Sequence, residues 1–521
     1  MFMRFLTVPV LFLGLMLGIL PELTAATPDF RLLLAPQTLR SEEATLVWDK
    51  PEGAGPGFAY EVLRDGQPCG ETLKTHFTVR GLAPERSHVF QVRVQSEART
   101  GVSVTRLASN PLDLRTLSPE PIVSVLDYGA VGDGTTLNTR ALQAAIDACP
   151  RGGVVRMPAG VFLSGALFLK SDMTLEIGAG AVLKGSVNPS DYAPFIRNRF
   201  EGWEMETYAS LLNAGTLDAA GPATVRNLSI RGAGRISGGG KKLSDAVRAE
   251  FPGVKGLRSR GRLILLMNAE NVEVAGLTLE ETPCWTLHYI YSKNVSLHGL
   301  SIRSDVLNGD GIDPDSSENS LIFDCTFDTG DDCIAIKSGK NPEGNVVNRP
   351  TDGVRVFDCR FDRGHGISIG SEMSGGVRGV RVEDCVAGEL INGLQIKGTP
   401  ERGGFVEDVT VRDCSLRQIT VYTKLSYNND GAAAPAQPVF RNFRFENIDL
   451  TQAAPKKPVI IVNGFDAEGH RTARVRFDSI HLPAGAKVKF DRVEDVTFAR
   501  VTTADGVAPA YEITRSERVQ R

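Results

Sequence analysis

The chain has 521 residues, 42% of them hydrophobic, and a formal net charge of −4 at neutral pH. Because acidic and basic residues nearly balance, neither a nucleic acid nor a membrane surface is expected as a partner, and an acidic substrate would need a local basic patch. The length exceeds that of one ordinary domain, although a repeat fold can hold several hundred residues in one body.

The first 26 residues have the pattern of an export signal. Arg4 precedes an apolar run, Leu6 to Leu20, and two small residues, Ala25 and Ala26, follow it. The apolar run is too short for a membrane-spanning helix, so we interpret residues 1–26 as a signal peptide, with an uncleaved anchor as the alternative. The mature chain is therefore expected to be exported, to the periplasm or outside the cell, with no membrane partner.

Residues 27–117 predict a small antiparallel β-sandwich. Short runs of alternating apolar and polar residues, one of them ending at Trp48, are separated by turn signals such as Asp65-Gly66. The stretches TLVWDKP, YEVLRDG and GLAPERSHVFQVRV resemble a fibronectin type III domain, with His88 where that family usually has a tyrosine. Nothing in this segment indicates catalysis, and a proline-containing linker then leads into residues 118–521.

The second part of the chain begins with a predicted helix and continues as a repeat. The helix runs from Leu137 to Cys149, with Asn138 or Thr139 as its N-cap. Nine similar strand-like segments recur later at intervals of 21 to 34 residues: NVEVAGL from Asn271, NVSLHGL from Asn294, NSLIFDC from Asn319, GVRVFDC from Gly353, GVRVEDC from Gly379, DVTVRDC from Asp408, NFRFENI from Asn442, RVRFDSI from Arg474 and DVTFARV from Asp495. This period predicts a solenoid of β-coils rather than a sandwich of hairpins.

The seventh position of this repeat carries cysteines among leucine, isoleucine and valine residues. The cysteines are Cys325, Cys359, Cys385 and Cys414. Because a free thiol behaves as a small hydrophobe, we expect a buried column of thiols, although stacked strands lie close enough together for disulfide bonds. Without CxxC pairs or clustered histidines, no zinc site is expected, and the sequence indicates no other metal or cofactor.

Two glycine-rich turns carry a cluster of acidic residues. Asp310 lies in NGDG, and Asp331 and Asp332 lie in TGDD. A pair of carboxyl groups is what glycoside hydrolysis requires, and repulsion between Asp331 and Asp332 is expected to raise the pKa of one of them. The neighbouring Asp313 and Asp315 are interpreted as turn-capping residues.

The repeat register brings further polar residues to the same groove. Asp331 lies six residues after one cysteine of the repeat, and His365 lies six residues after the next, so they should stand one above the other on adjacent coils. Asp310 falls on the preceding coil and Lys397 on the following one. A groove of this kind suits several units of a linear polymer.

The sequence resembles glycoside hydrolase family 28, the polygalacturonases, in the order of four motifs: NGDGID, GDDCIAIKSG, GHGISIG and QIKG. Two stretches further upstream resemble the same family: DYGAVGDGTTLNTRALQAAIDAC and TPCWTLHYIYSKNVSLHGLSI. The resemblance spans roughly residues 122–500. It implies an all-β fold, a right-handed parallel β-helix, and hydrolysis of α-1,4-galacturonan with inversion. The partner it implies is a pectic polysaccharide or an oligogalacturonide.

The resemblance also implies roles for single residues. Asp331 would be the general acid, Asp310 and Asp332 would activate the water, and His365 would tune the protonation of the acid. Lys397 would bind a galacturonate carboxylate. A calcium-dependent lyase is less consistent with this set, because no calcium-binding loop is evident.

The expected substrate-binding set also includes Asn308, Gln395 and Tyr427, the last by stacking on a sugar ring. Gln395 stands where the family usually has an arginine, and a neutral amide cannot make the bidentate contact of a guanidinium group. Either another base compensates, or the subsite accepts a different sugar, as in rhamnogalacturonan or xylogalacturonan. The candidate bases are Lys337, Arg363 and Lys424.

A fibronectin type III domain ahead of such a hydrolase is similar to the arrangement in bacterial exo-polygalacturonases. Exo action would need loops that close one end of the groove, and the segment from Asn188 to Arg262 is the candidate for them. Endo action and a non-catalytic pectin-binding β-helix are the alternatives.

Overall fold

The computed structural model describes residues 30–51, 57–95, 107–423, 430–454 and 458–521. In these ranges a small β-sandwich packs against the side of a long parallel β-helix. The predicted signal peptide lies outside the described residues. No helix in the described ranges combines the length and the apolar character needed to cross a membrane.

The sandwich consists of a three-stranded and a four-stranded antiparallel sheet. Its strands are Leu32–Leu34, Glu43–Trp48 and His76–Arg80 in one sheet, and Ala59–Arg64, Gln67–Thr72, Ser87–Gln95 and Leu112–Arg115 in the other. Asp65 and Gly66 join two of these strands with φ angles of 52° and 79°, as a two-residue hairpin turn requires. Trp48 and Tyr60 meet edge to face in the core, 5.4 Å apart, while His88 contacts the Asp65 carboxylate. The predicted sandwich is confirmed.

Of the described strands, 33 form one continuous sheet in which each coil pairs in parallel with the next. The face that carries the sequence repeat contains Ile122–Ser124, Gly153–Met157, Met173–Ile177, Val225–Gly232, Ala269–Ala275, Lys293–His298, Glu318–Phe323, Thr351–Phe357, Val377–Glu383, Phe405–Ser415, Val439–Asp449, Thr472–Leu482, Val493–Thr503 and Glu517–Gln520. The second face contains Asp133–Leu137, Gly160–Ser164, Ala181–Gly185, Arg235–Ser237, Thr278–Glu280, Ser301–Arg303 and Thr326–Asp328.

The third face contains Leu167–Leu169, Leu212–Ala214, Ile264–Met267, Leu287–Ile290, Ile312–Asp315, Ile334–Ile336, Ile419–Thr423, Ile460–Asn463, Lys487–Asp491 and Ala510–Thr514. Two long strands, Arg360–Ile369 and Val386–Gly398, run through both the second and the third face. The predicted parallel β-helix is confirmed by this topology.

The repeat in the sequence marks the corners of the coils. Every residue at the first and at the sixth repeat position has a positive φ, for example Asn271 at 57° and Asp324 at 54°. Glycine, asparagine and aspartate adopt this left-handed conformation most readily, which explains why they dominate both positions. Asparagine side chains also bond from coil to coil, as from Asn294 Nδ2 to Asn271 Oδ1 at 3.0 Å.

The seventh repeat position points into the core, as predicted. Cys414, for example, pairs in register with Ile448 of the next coil. The four cysteines of the column are buried and free, and so the expectation of thiols rather than disulfides is confirmed. They fill the same inward position as the aliphatic residues of the other coils.

The predicted helix is present as Thr139–Ala148, slightly shorter than expected. Leu142 and Ile146 bury its apolar face in the core. Asn138 occupies the N-cap position, but its side chain accepts a hydrogen bond from the Val131 N–H at 2.7 Å instead of capping the helix.

The segment from Asn188 to Arg262, the candidate for loops that close the groove, lies only partly outside the coils. Three of its strands, Leu212–Ala214, Val225–Gly232 and Arg235–Ser237, belong to the coils. Two of them have only three residues, too few to show an alternating pattern. The elements outside the coils here are a 3₁₀ helix, Pro189–Tyr192, a hairpin, Phe195–Phe200 with Trp203–Tyr208, and the helices Gly240–Glu250 and Val254–Arg258. Another short helix, Glu343–Val347, follows later.

The sandwich docks along one row of coil corners. The sixth repeat position is an aspartate in four successive coils, and each of these contacts the sandwich: Asp324, Asp358, Asp384 and Asp413. Lys50 Nζ lies 2.6 Å from one carboxylate oxygen of each of the last two, with only 3% of its side chain exposed. Lys74 pairs with the first, and the Thr75 N–H donates to the second. The docked domain therefore spans four coils.

Candidate active site

Five neighbouring strands of the third face form the floor of a groove. Their inward residues pair in register and are buried: Ile312, Ile334, Ile367, Leu394 and Ile419. Because side chains alternate across a strand, this apolar column fixes which residues point outward into the groove. The polar residues of the site are those that flank this column.

Asp331 and His365 stand one above the other, as the repeat register predicts. His365 Nδ1 lies 3.0 Å from Asp331 Oδ1 and 3.6 Å from Asp332 Oδ1. The side chain of Asp331 is 27% exposed, whereas that of Asp332 is only 6% exposed. Asp331 therefore faces the groove, and Asp332 lies behind it.

Asp332 is held as a carboxylate. Lys397 Nζ lies 3.0 Å from its Oδ2, and Ser368 Oγ donates to its Oδ1 at 2.6 Å. Burial alone would favour the neutral acid, but Lys397 and the hydrogen bonds from His365 and Ser368 outweigh it and lower the pKa of Asp332. The expectation that repulsion by Asp331 raises the pKa is therefore wrong for Asp332, because attractive partners prevail.

His365 is charged at neutral pH. Its hydrogen bond to Asp331, followed by that to Asp332, raises its pKa to about 9. Ligand atoms of these three residues lie within 4.8 Å of one another, close enough for a metal ion. A metal binds neutral imidazole, so the proton on His365 opposes metal binding.

Asp310 lies deeper, on the preceding coil, and 5% of its side chain is exposed. Burial and the nearby Asp313 raise its pKa well above the ordinary value, although Lys337, 3.3 Å from its Oδ2, opposes the shift. Asp310 is thus a carboxyl group of this site that is disposed to hold a proton.

The interpretation of Asp313 and Asp315 as turn caps is wrong. Both lie in the strand Ile312–Asp315 and are fully buried. Asp313 lies 3.2 Å from Lys337 Nζ, and Asp315 Oδ1 lies 2.7 Å from Arg199 Nη1 of the hairpin. Their carboxylates face buried cations, and Asp315 Oδ1 also accepts a hydrogen bond from the Gly339 N–H at 3.1 Å.

A cavity of about 310 Å³ opens above Asp331, in the size range of small-molecule sites. The predicted residues that line it are Asp331, His365, Gln395 and Lys397. Ser371, Asn392 and Tyr422 also line it and were not predicted. Tyr422 pairs in register with Lys397, so continuing the register by one coil would have identified it. Gln395 Nε2 donates to Ser368 Oγ at 3.4 Å.

Other predicted residues lie elsewhere. Asn308 Oδ1 accepts a hydrogen bond from Arg260 at 2.7 Å, and Asn308 does not line the cavity. Tyr427 and Lys424 lie outside the described residues. Lys337 is buried beneath Asp310. Arg363 pairs with Asp328 at the surface. Within the described part of the cavity lining, the cationic side chains are Lys397 and His365.

The hairpin is tied to other segments by a mixed aromatic and ionic cluster. The Arg258 guanidinium and Lys340 Nζ lie 4.9 Å and 4.8 Å from the Trp203 ring centre. Both cations also pair with Asp430. These contacts therefore join the hairpin, the helix Val254–Arg258 and the part of the chain around Asp430.

The fold and the site together define a carbohydrate-cleaving class: a parallel β-helix whose lateral groove holds a solvent-facing carboxyl group backed by two others. Residues 155–503 match the model of the glycosyl hydrolases family 28. The chain belongs to this family and is a glycoside hydrolase, and the resemblance seen in the sequence is confirmed.

Relatives and solved structures agree with this assignment. The chain is 27% identical to the exo-poly-alpha-D-galacturonosidase of Dickeya chrysanthemi, over 92% of this chain and 91% of that protein. It is 30% identical to an endo-polygalacturonase of Pectobacterium carotovorum subsp. carotovorum, over 63% of this chain and 81% of that protein. The structure of a Yersinia enterocolitica family 28 exopolygalacturonase superposes with a TM-score of 0.84 at 28% identity, covering 95% of this chain and 99% of that one.

Proposed function

We propose that this enzyme hydrolyses the α-1,4 bonds of polygalacturonate with inversion. The observation that carries the proposal is the placing of Asp331 on the cavity, 3.0 Å from the charged His365, with Asp332 behind it. Inverting hydrolysis requires one carboxyl group to protonate the leaving oxygen and another to activate water. Family membership and the polygalacturonases among the relatives support the substrate.

Each polar residue then has a role. His365, 3.0 Å away, passes its proton to the Asp331 carboxylate, and Asp331 then protonates the glycosidic oxygen; the hydrogen bond between them also fixes the orientation of this carboxyl group. Asp332, kept ionised by Lys397, activates the attacking water, as does Asp310 in its ionised form. Lys397, which also lines the cavity, supplies positive charge for a galacturonate carboxylate.

The first experiment measures reducing ends released from polygalacturonate by the wild type and by Asp331→Asn. Loss of a general acid lowers kcat by about 10²- to 10⁴-fold. Asp328→Asn is the matched control, because Asp328 lies three residues away and pairs with Arg363 at the surface. An Asp331→Asn enzyme as fast as wild type would refute the roles assigned here. Substrate depletion without product would indicate a pectin-binding protein instead.

Inversion is tested separately by following the first products with proton NMR. An inverting enzyme acting on an α-linkage releases the β-anomer first. Initial release of the α-anomer would contradict the mechanism.

We further infer that the enzyme acts from a chain end. A relative that matches over 92% of this chain and 91% of its own length is an exo-poly-alpha-D-galacturonosidase, and the cluster of Trp203, Arg258, Lys340 and Asp430 joins segments outside the coils that are candidates for closing one end of the groove. Chromatography of early products decides the point. Monosaccharide or disaccharide alone from the start indicates exo action, and a ladder of oligomers indicates endo action.

Rhamnogalacturonan or xylogalacturonan is a second candidate substrate, because Gln395 on the cavity is a neutral residue. Rates on polygalacturonate, rhamnogalacturonan and xylogalacturonan should be compared for the wild type and Gln395→Arg. Plain polygalacturonate is favoured by Lys397, and we expect it to be cleaved fastest.

Export after cleavage of residues 1–26 is also proposed, and amino-terminal sequencing of the protein recovered outside the cytoplasm tests it.

A further inference from the structure

A buried charge cluster lies beneath the groove, under Asp310. Lys337 Nζ lies 3.3 Å from Asp310 Oδ2, 3.2 Å from Asp313 Oδ1 and 3.9 Å from Glu372 Oε2. The ammonium group also lies 4.5 Å from the centre of the Trp285 ring. None of the four charged side chains is more than 9% exposed. Three carboxyl groups thus surround one ammonium group at a largely buried site.

Such a cluster cannot easily keep all three carboxyl groups ionised. Lys337 and Arg402 together balance two of the three negative charges, and a buried carboxylate without a counter-charge takes up a proton instead. Burial raises the pKa of Asp313 to about 7 and that of Asp310 well above its ordinary value. Burial acts on Glu372 as well, but Lys337 and Arg402 outweigh it and lower its pKa. The extra proton therefore belongs to the Asp310–Asp313 pair.

We propose that Lys337 and Asp313 are positioning residues that set, in opposite directions, whether Asp310 is ionised and so ready to activate water. This inference rests on the proposed function, in which Asp310 acts as a carboxylate. Lys337 favours the ionised form by attraction, and Asp313 opposes it by repulsion. Activity should fall as the pH drops through the pKa of Asp310, and the two neighbours decide where that happens.

Other charged groups also face Asp310. Asp331 and Asp332 lie on the next coil, with His365 and Lys397 beyond them. Glu372 approaches the same ammonium group from a later coil, and the Arg260 guanidinium binds Asn308, two residues before Asp310. None of these residues changes in the variants used below, so differences between variants isolate Lys337 and Asp313.

The test compares kcat/KM on polygalacturonate as a function of pH for Lys337→Met, Asp313→Asn and the double variant. Removing the cation raises the pKa of Asp310 and moves the acid limb to higher pH. Removing the anion moves the limb to lower pH. A nearby charge shifts a carboxyl pKa by about one to three units, so each midpoint should move by at least about one pH unit. In the double variant the two shifts oppose each other, and its midpoint should lie between those of the single variants.

The matched control is Lys50→Met. Lys50 is likewise a buried lysine between two aspartates, but it lies at the docked sandwich. We expect its acid limb to coincide with that of the wild type. A purely structural role of Lys337 would lower kcat/KM equally at every pH. The proposal would be overturned if the midpoints did not move, or if the midpoints of both single variants moved in the same direction.

An infrared titration keeps this test separate from the proposed function. The carbonyl band of a protonated carboxyl group should persist to higher pH in the wild type than in Asp313→Asn, whether or not polygalacturonate is cleaved. Identical titrations of this band would overturn the proposal. If Lys337→Met does not fold, as judged by circular dichroism, Asp313→Asn decides by both readouts. If the wild type releases no reducing ends, the proposed function fails, while the infrared result still decides on the shared proton.

Discussion

We expect Arg199 to anchor the hairpin Phe195–Phe200 with Trp203–Tyr208 over the groove strands. Its guanidinium lies 2.7 Å from Asp315, and both side chains are 0% exposed. Arg197, two residues earlier, pairs with Glu204 at 2.9 Å but is 66% exposed. Removing one partner of a buried pair costs about 3–5 kcal/mol, whereas an exposed pair contributes at most about 1 kcal/mol. Arg199→Met should therefore destabilise the hairpin far more than Arg197→Met.

Hydrogen exchange of the hairpin amides measures this difference locally. About 1.4 kcal/mol is a factor of ten, so Arg199→Met should accelerate exchange that requires opening of the hairpin by at least about 150-fold, and Arg197→Met by about fivefold or less. Amides in the coil strands distant from the hairpin should exchange as in the wild type. Acceleration of less than about tenfold in Arg199→Met, or equal acceleration in both variants, would refute the assignment of the buried ion pair as the anchor.

Three further results are expected. The ring of His365, followed by NMR, should titrate with a pKa of about 9. In Asp331→Asn this pKa should fall toward the ordinary value, because the hydrogen bond to the Asp331 carboxylate is the largest cause of the shift, and an unchanged pKa would contradict this. Lys50→Met should cost about 3–5 kcal/mol at the domain interface and speed proteolysis of the sandwich, whereas Arg381→Met, at a pair whose arginine is 44% exposed, should not. A thiol reagent should modify at most Cys69 rapidly in the native protein, since the other seven cysteines are buried; rapid modification of several would argue against the thiol column.

The coils and the pairing of Asp331 with His365 could be predicted because the corners constrain the sequence. A left-handed residue is required at two positions of each coil, so asparagine, aspartate and glycine mark the register even where insertions vary its length. Counting from that register then places groove residues of adjacent coils above one another. The register placed Asp331 and His365 one above the other, and in the structure His365 Nδ1 lies 3.0 Å from Asp331 Oδ1.

What covers the outside of a strand could not be predicted in the same way. Alternation along Ile312–Asp315 shows that Asp313 and Asp315 point away from the core, which normally means toward solvent. Arg199 reaches Asp315 from 116 residues earlier in the sequence, and Lys337 reaches Asp313 from a later strand. The pKa of Asp332 depended in the same manner on Lys397, two coils away. Such partners follow from tertiary packing and leave no local pattern.

The row of corner aspartates under the sandwich has a consequence for how the solenoid unfolds. In a repeat protein each coil contacts only its neighbours, so stability is nearly a sum of local terms and one end can fray independently of the other. The sandwich contacts four coils at once, through Asp324, Asp358, Asp384 and Asp413. Two of these coils carry Asp331 and His365. Opening any one of the four coils requires loss of its bond to the docked domain. The docked domain therefore couples these coils, and the catalytic stretch of the solenoid should unfold as a single cooperative unit.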